Sequence, residues 1–429
     1  MKVAYITAGA AGMYCGTCIH DNTMANVLKK SGHEVSLIPT YTPTRTDEEN
    51  VSMNRVFYGG VNVFLQQKLS IFRYTPWAFD RILDNPSLLN SLAQFSASTD
   101  ARDLGKLTVS MLKAENGKQK KELTKLVKWL KENDKPDIVY LTNSMLVGMA
   151  REIKKALDVP VVCALQGEDI FLRDLIDPYK DMALEVLAER AEDPDGFVAP
   201  CYYYADFMAE EYLKVPTHKI DVVPLGVNLD GHGMVNERTG PPPFVIGYLA
   251  RICPEKGLHH LVNAFYTLTR EIGTDTVELH VAGYLGKKDE PYFKELVKQI
   301  NSWGLQERFI HFGEVNRTEK IEFMNRLHIF SVPTVYRESK GLSILEALAN
   351  GVPVVQPQHG SFPEMIKATS GGILVDPDSS DALAEGILQL FRDPAKRKQL
   401  GIDGKRNVHE KFNDRVVSQQ LMDVFKKYL

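Results

Sequence analysis

Two glutamates, Glu338 and Glu346, stand with seven residues between them around a single glycine in Tyr336-Arg337-Glu338-Ser339-Lys340-Gly341-Leu342-Ser343-Ile344-Leu345-Glu346. The polar half reads as a loop and the apolar half, Leu342 to Ala349, as a helix, with a strand before the loop. The backbone N–H groups of Gly341, Leu342 and Ser343 then lie at a helix N-terminus, where unsatisfied donors and the helix dipole favour phosphate. Two carboxylates beside such a cradle repel phosphate and suit the hydroxyls of a sugar and of a ribose. The plainer alternative makes Glu338 a helix cap and Glu346 an exposed helix residue. A second segment, Ile246-Gly247-Tyr248-Leu249-Ala250-Arg251-Ile252-Cys253-Pro254-Glu255-Lys256-Gly257, places Arg251 and Lys256 after a strand. The carboxyl end of such a strand is where open α/β sheets bind ligands. There the two cations can neutralise a departing diphosphate, or simply sit on the surface beside a turn.

Near the start, Gly9-Ala10-Ala11-Gly12-Met13-Tyr14-Cys15-Gly16-Thr17-Cys18 follows a strand. Gly12 and Gly16 let backbone approach a ligand, and Asp21 is either a site residue or the cap of a helix running to Lys30. The spacing is not G-x-G-x-x-G, and the next strand ends Leu37-Ile38-Pro39-Thr40 without an acid for a ribose. Cys15 and Cys18 form C-x-x-C, but only His20 stands near and no second pair exists, so apolar packing is favoured over redox or metal chemistry. Farther on, Gln166-Gly167-Glu168-Asp169 closes another strand, and Glu168 or Asp169 either orients an acceptor or caps the loop. Asp193-Pro194-Asp195 and Asp376-Pro377-Asp378 read as proline turns rather than metal sites.

These segments need a scaffold, and the pattern supplies one. Short apolar strands alternate with helices from Val3 to Pro224, then again from Phe244 to Val375, which implies parallel sheets covered on both faces. Between them lies the densest Gly/Pro/Asn stretch, Asn228 to Pro243, read as a linker. The expected division is a first domain over 1–228, a linker over 229–243, a second domain over 244–411, and a helix of about 412–429 returning to the first domain. The chain has 429 residues with 51 Lys and Arg against 55 Asp and Glu. A net charge of -4 gives no global field for nucleic acid. No apolar run reaches the roughly 20 residues that span a bilayer, and no P-loop, H-E-x-x-H or serine elbow is present. Lys118 to Lys131 is lysine-dense, with Leu123, Leu126, Val127 and Leu130 on one stripe. It reads as a solvated surface helix, or as a basic face touching an anionic membrane or acceptor.

Taken together, Arg251, Lys256-Gly257, Glu338, Glu346, Ala349-Asn350-Gly351-Val352-Pro353-Val354 and Glu364 after Gly360 resemble the donor-binding half of the retaining glycosyltransferases of family 4. The match in order and spacing covers about Phe244 to Pro377 and extends loosely over almost the whole chain. The resemblance implies a GT-B fold: two Rossmann-like, doubly wound parallel-sheet domains facing a cleft. It also implies transfer of a sugar from a nucleotide-diphosphate sugar to an acceptor that is a glycan, a lipid or a small molecule, with no metal or other cofactor required. In that family Arg251 and Lys256 would hold the diphosphate, Glu346 the ribose and Glu338 the donor sugar. Gly12 and Gly16 would line the cleft. One position departs: the family commonly has His where this chain has Gln166. An amide can donate to a sugar hydroxyl but cannot carry charge or act as acid or base. Alternatives are a nucleotide-sugar epimerase or phosphorylase on the same architecture, or a binding protein without turnover. The reduced-thiol cysteine usage points to the cytoplasm, with peripheral contact at the inner membrane face through the basic helix.

Overall fold

The alternation Val3-Ala4-Tyr5-Ile6 sends successive side chains to opposite faces of a strand, and apolar residues cover both faces. Val3 and Tyr5 join Ile138, Tyr140, Val162 and Val198 in one core, while Ala4 and Ile6 join Val139, Leu141, Val161 and Phe197 in another. Strands buried on both sides need near-continuous apolar sequence, which is why these runs lack the polar alternation of a surface sheet. The computed structural model describes residues 1–9, 16–77, 101–233 and 243–429. They form two units, Met1–Gly226 with Val417–Leu429, and Val227–Val416.

In the first unit, strands β1 (Lys2–Ala8), β2 (Glu34–Thr40), β3 (Ile138–Leu141), β4 (Val161–Ala164), β5 (Gly196–Ala199) and β6 (Ile220–Val222) make a parallel sheet ordered β2-β1-β3-β4-β5-β6. The order reverses between β1 and β3, the place where doubly wound sheets open a crevice at their carboxyl ends. The helix Asp414–Lys426 lays Val417, Leu421, Met422 and Phe425 on the Tyr5 face. Phe425 stands 5.1 Å from the Tyr140 ring, which meets Tyr5 edge-on at 4.8 Å.

The second unit repeats the plan with β7 (Phe244–Leu249), β8 (Val277–Ala282), β9 (Phe309–Gly313), β10 (Ile329–Phe330), β11 (Val354–Pro357) and β12 (Gly372–Val375), ordered β12-β11-β10-β7-β8-β9. All its pairings are parallel. This is the doubly wound α/β architecture that the alternation predicts. Two local details differ from the sequence reading. The first helix runs Gly16–Lys30, so Asp21 lies inside it rather than at its cap, because its carboxylate is taken by Thr7 on β1. In the basic segment the helix Lys120–Trp129 buries Leu123 and Leu126, and also Glu122 and Lys125, whose charges meet at 2.7 Å. Its solvated face is therefore narrower than the lysine count suggests.

Candidate functional site

Strands β7 and β10 are neighbours, with Ile246 opposite Ile329 and Gly247 opposite Phe330, so the loops leaving their carboxyl ends meet. After β7 a single turn, Pro254–Lys256, ends at Gly257 with φ of +71°. A Cβ on Gly257 would stand 1.7 Å from the Pro333 carbonyl oxygen, so only glycine lets this turn lie on the loop after β10. The Val335 N–H donates to the Glu255 carbonyl at 3.0 Å. From the other side, Gly360 (φ +60°) would put a Cβ 2.4 Å from the Glu338 carbonyl oxygen, an oxygen that accepts from the Ser361 N–H at 2.7 Å. Loops after β7, β10 and β11 thus fix Glu338 at one point.

There the Lys256 ammonium donates to Glu338 Oε2 at 2.6 Å, the Tyr336 hydroxyl donates to the same oxygen at 2.7 Å, and the Lys340 N–H donates to Oε1 at 3.2 Å. Lys256 also bonds the Tyr336 hydroxyl and lies 4.9 Å over its ring. Glu338 is buried, whereas the Lys256 side chain is 23% exposed. An ammonium has three N–H donors, and Tyr336 and Glu338 take two, so one stays available on the open side. Arg251 lies on the same loop, its Nε donating to Cys253 Sγ at 3.3 Å, with its side chain 42% exposed.

The helix Leu342–Ala349 starts after Gly341, and Ile344 N–H returns to the Gly341 carbonyl at 3.0 Å. Leu342 and Ser343 precede that first bond, at the end where amides lack helical acceptors. Glu346 is not exposed: it is buried against Lys320 at 2.6 Å, and Lys320 is buried too. Lys320 comes from the helix Arg317–Arg326, started by a capping box between Asn316 and Glu319. Asn350 ties this helix end down, its amide meeting the Glu346 carbonyl at 2.9 Å and His232 Nδ1 at 2.7 Å. Burial, with the nearby Arg317 and Lys320 charges, pushes His232 down to about 3, so the imidazole is neutral.

In the first unit, loops after β1 and β4 bring Asp21 and Gln166 together. Asp21 accepts from the Thr7 hydroxyl at 2.5 Å and from the Gln166 amide at 2.9 Å. The Gln166 carbonyl oxygen is buried and has no protein partner among the described residues. Glu168 is buried and accepts from the Ser144 and Gln166 N–H groups at 2.9 and 2.6 Å, so its carboxylate braces two strand-end loops. Asp169 accepts from the Tyr204 hydroxyl at 2.8 Å, and burial, then the Glu168 charge, pushes its carboxyl up against that bond. Gly16 is the exposed first residue of its helix, while Gly12 and Cys15 lie outside the described residues. Cys18 is buried beside the Ala8 carbonyl. Asp193 and Asp195 pair with Arg151 and Lys154 at 3.0 and 2.7 Å. Among the described residues no three His, Cys, Asp or Glu gather where a metal ion would be held.

Comparison with known proteins places this arrangement. The profile of Glycosyl transferases group 1 matches residues 236–407, and that of Glycosyltransferase Family 4 matches residues 105–230. The chain is a family 4 glycosyltransferase. An uncharacterised glycosyltransferase of Methanocaldococcus jannaschii is 22% identical to it over 99% of this chain and 98% of its own length. Other curated relatives, 26% to 29% identical, are matched over 40% to 52% of their length, so the chain spans about half of each. Among solved structures, sucrose-phosphate synthase of Thermosynechococcus elongatus superposes on the whole glycosyltransferase chain and 98% of its own, with a TM-score of 0.72 at 16% identity. HepE of Anabaena, solved in complex with UDP-glucose, superposes over both full chains with a TM-score of 0.67 at 18% identity.

Two residues of the candidate site escape the sequence reading. Tyr336 stands within the quoted segment, and Lys320 shares a helical stripe with the buried Phe323 and Met324, a signal that was available at i, i+3 and i+4. Electrostatics at Glu338 gives a prediction. Burial raises its carboxyl, but Lys256 and the bonds from Lys256 and Tyr336 outweigh that and hold it at about 2, against 4.5 ordinarily. A group depressed on folding stabilises the fold fully above its unfolded pKa and loses that contribution as pH falls through the folded one. Thermal unfolding of the glycosyltransferase and of Glu338→Gln should differ by a constant amount above pH 4.5, and the gap should narrow below it. A gap that stays constant in acid would show that the carboxylate is not paired this way.

Proposed function

We propose that this glycosyltransferase moves a sugar from a nucleoside-diphosphate sugar to a hydroxyl-bearing acceptor, with retention of anomeric configuration and without a divalent metal. The observation that carries the reading is the pair of the half-buried Lys256 with the buried Glu338, held at 2.6 Å within three residues of the Gly341 start of the helix Leu342–Ala349. A diphosphate takes the remaining Lys256 N–H, Arg251 and the open amides of Leu342 and Ser343, which spread its charge as the C1–O bond breaks. Glu338 has one lone-pair direction left after its three donors, and it accepts from a donor-sugar hydroxyl. Glu346, braced by Lys320, accepts from the ribose. The electron pair of the breaking C1–O bond stays on the diphosphate. The acceptor oxygen forms the new bond to C1 on the same face, and its proton passes to the leaving phosphate oxygen. Gln166 cannot take a proton at any ordinary pH, which supports giving that role to the phosphate. The UDP-glucose complex of the similarly folded HepE supports a nucleotide-sugar donor.

The test is the thermal shift of the purified protein with a panel of nucleoside diphosphates and their sugar conjugates, each with and without EDTA. Ligand at about a hundred times its dissociation constant stabilises a fold by roughly 2.7 kcal/mol. A shift for one conjugate that survives EDTA and is lost in Glu346→Ala is expected. No shift with any member overturns the donor reading. NMR of the anomeric proton in the product then reads retention against inversion.

A further inference from the structure

The large apolar side chains exposed among the described residues concentrate in one stretch of the first unit. Leu69 is 51% exposed, Ile71 68%, Tyr74 85% and Trp77 41%, following Phe64 at 41% on the preceding helix Gly60–Lys68. A contiguous apolar surface marks a contact with something other than water. This stretch is pinned rather than loose. Arg73 Nε donates to the Gln66 carbonyl at 2.8 Å, Lys121 donates to the Phe72 carbonyl at 3.3 Å and the Thr75 hydroxyl at 2.8 Å, and Lys128 lies 5.2 Å over the Trp77 ring. Those bonds use the polar groups on the inner side and leave Ile71 and Tyr74 facing outward.

The surroundings are strongly basic. Residues 60–77 carry two Lys or Arg and no acid, and residues 118–131 carry six lysines and one acid, Glu122. Glu122 is buried against Lys125. Asp103 and Glu132 at the edges are matched by Lys68 and Lys128. A chain of net charge -4 therefore gathers cations around its most apolar exposed segment. A second copy of this face would be repelled by the same charge. Apolar and aromatic tips ringed by lysines match the interface of an anionic bilayer, where tips enter the headgroup boundary and lysines meet lipid phosphates. Among the described residues no helix is long and apolar enough to cross a membrane.

We propose that residues 69–77, with the solvated lysines of the helix Lys120–Trp129, dock the protein on an anionic lipid surface. The basic helix supplies charge, and the apolar contact comes from the neighbouring stretch, because the helix's own leucines face the core.

The experiment is flotation of the full chain with vesicles of phosphatidylcholine alone and of equal parts phosphatidylcholine and phosphatidylglycerol. The protein should float with the anionic vesicles, stay behind with the neutral ones, and detach in high salt. The double variant Ile71→Ser, Tyr74→Ser should lose flotation, while Ile310→Ser, an exposed apolar residue of the second unit, should float like wild type. Lys120→Ala should lower the partition coefficient about fivefold, the effect of one cation near such a surface. Melting temperature and nucleoside-diphosphate shift should be unchanged in all of them, which separates this proposal from the donor reading. Flotation that ignores lipid charge, survives the double variant, or is replaced by self-association lost in that variant would overturn it.

Discussion

Replacing Lys256 by alanine is expected to lower sugar transfer by about a hundredfold or more, the usual cost of deleting one preorganised donor aimed at developing charge. On the proposed mechanism, in which Lys256 meets diphosphate charge that grows as the C1–O bond breaks, the loss should fall on kcat and kcat/KM together. The variant also leaves Glu338 buried without its counter-charge, and breaking a buried pair costs about 3–5 kcal/mol. A fall in activity alone would therefore be ambiguous. The double variant Lys256→Met, Glu338→Gln resolves it, because two neutral residues of similar size relieve the uncompensated charge. It should recover most of the lost stability and none of the lost transfer. Recovery of transfer in the double variant would remove Lys256 from the catalytic role and leave it a packing residue.

The second large effect is expected at Gly257. Alanine there meets two obstacles at once, a φ of +71° and a carbonyl oxygen 1.7 Å from the new Cβ. Left-handed backbone costs a non-glycine residue about 1–2 kcal/mol, and the contact can be relieved only by moving the turn off Pro333. A total of about 4 kcal/mol, at the upper end for single substitutions, should appear as a lower urea midpoint with unchanged slope. Gly32 supplies the control, with φ of +87° and nothing within 4 Å of a Cβ. Gly32→Ala should show the conformational cost alone. Equal losses at the two positions would mean that the approach to Pro333 contributes nothing. Because Lys256 ends that turn, Gly257→Ala should also weaken transfer below what its remaining folded fraction accounts for.

How much of this was legible follows from the range over which each signal acts. Both sheets were readable because a strand buried on two faces announces itself in four or five consecutive residues such as Val161-Val162-Cys163-Ala164. The start of the first helix was not, because Gly16-Thr17-Cys18 carries no apolar period and Asp21 looks like a cap until Thr7 is seen to claim it. Lys256 and Glu338 were each visible as candidates, segment by segment. Their bond was not, because it joins residues 82 positions apart and depends on β7 lying beside β10. For Lys320 the stripe with Phe323 and Met324 was a signal of burial, but its partner Glu346 was not legible, because the pair joins two different helices. The lysines of 118–131 were legible as a basic segment, whereas the outward apolar residues lie some fifty positions earlier, in a stretch with no periodicity to read.

The helix Asp414–Lys426 has a bearing on how the molecule comes into being. It supplies Val417, Leu421, Met422 and Phe425 to the core of the first unit, yet all of the second unit is synthesised before it. During translation the unit begun first is therefore the one finished last, and one face of its sheet, the Tyr5 and Tyr140 side, waits covered only in part, by Met24, Ala25 and Leu28 of the first helix, while some two hundred further residues emerge. Domains usually fold as they leave the ribosome, in order. Here the order closes back on itself, because a chain that has reached only Gly226 still lacks Val417, Leu421, Met422 and Phe425 of the first unit's core.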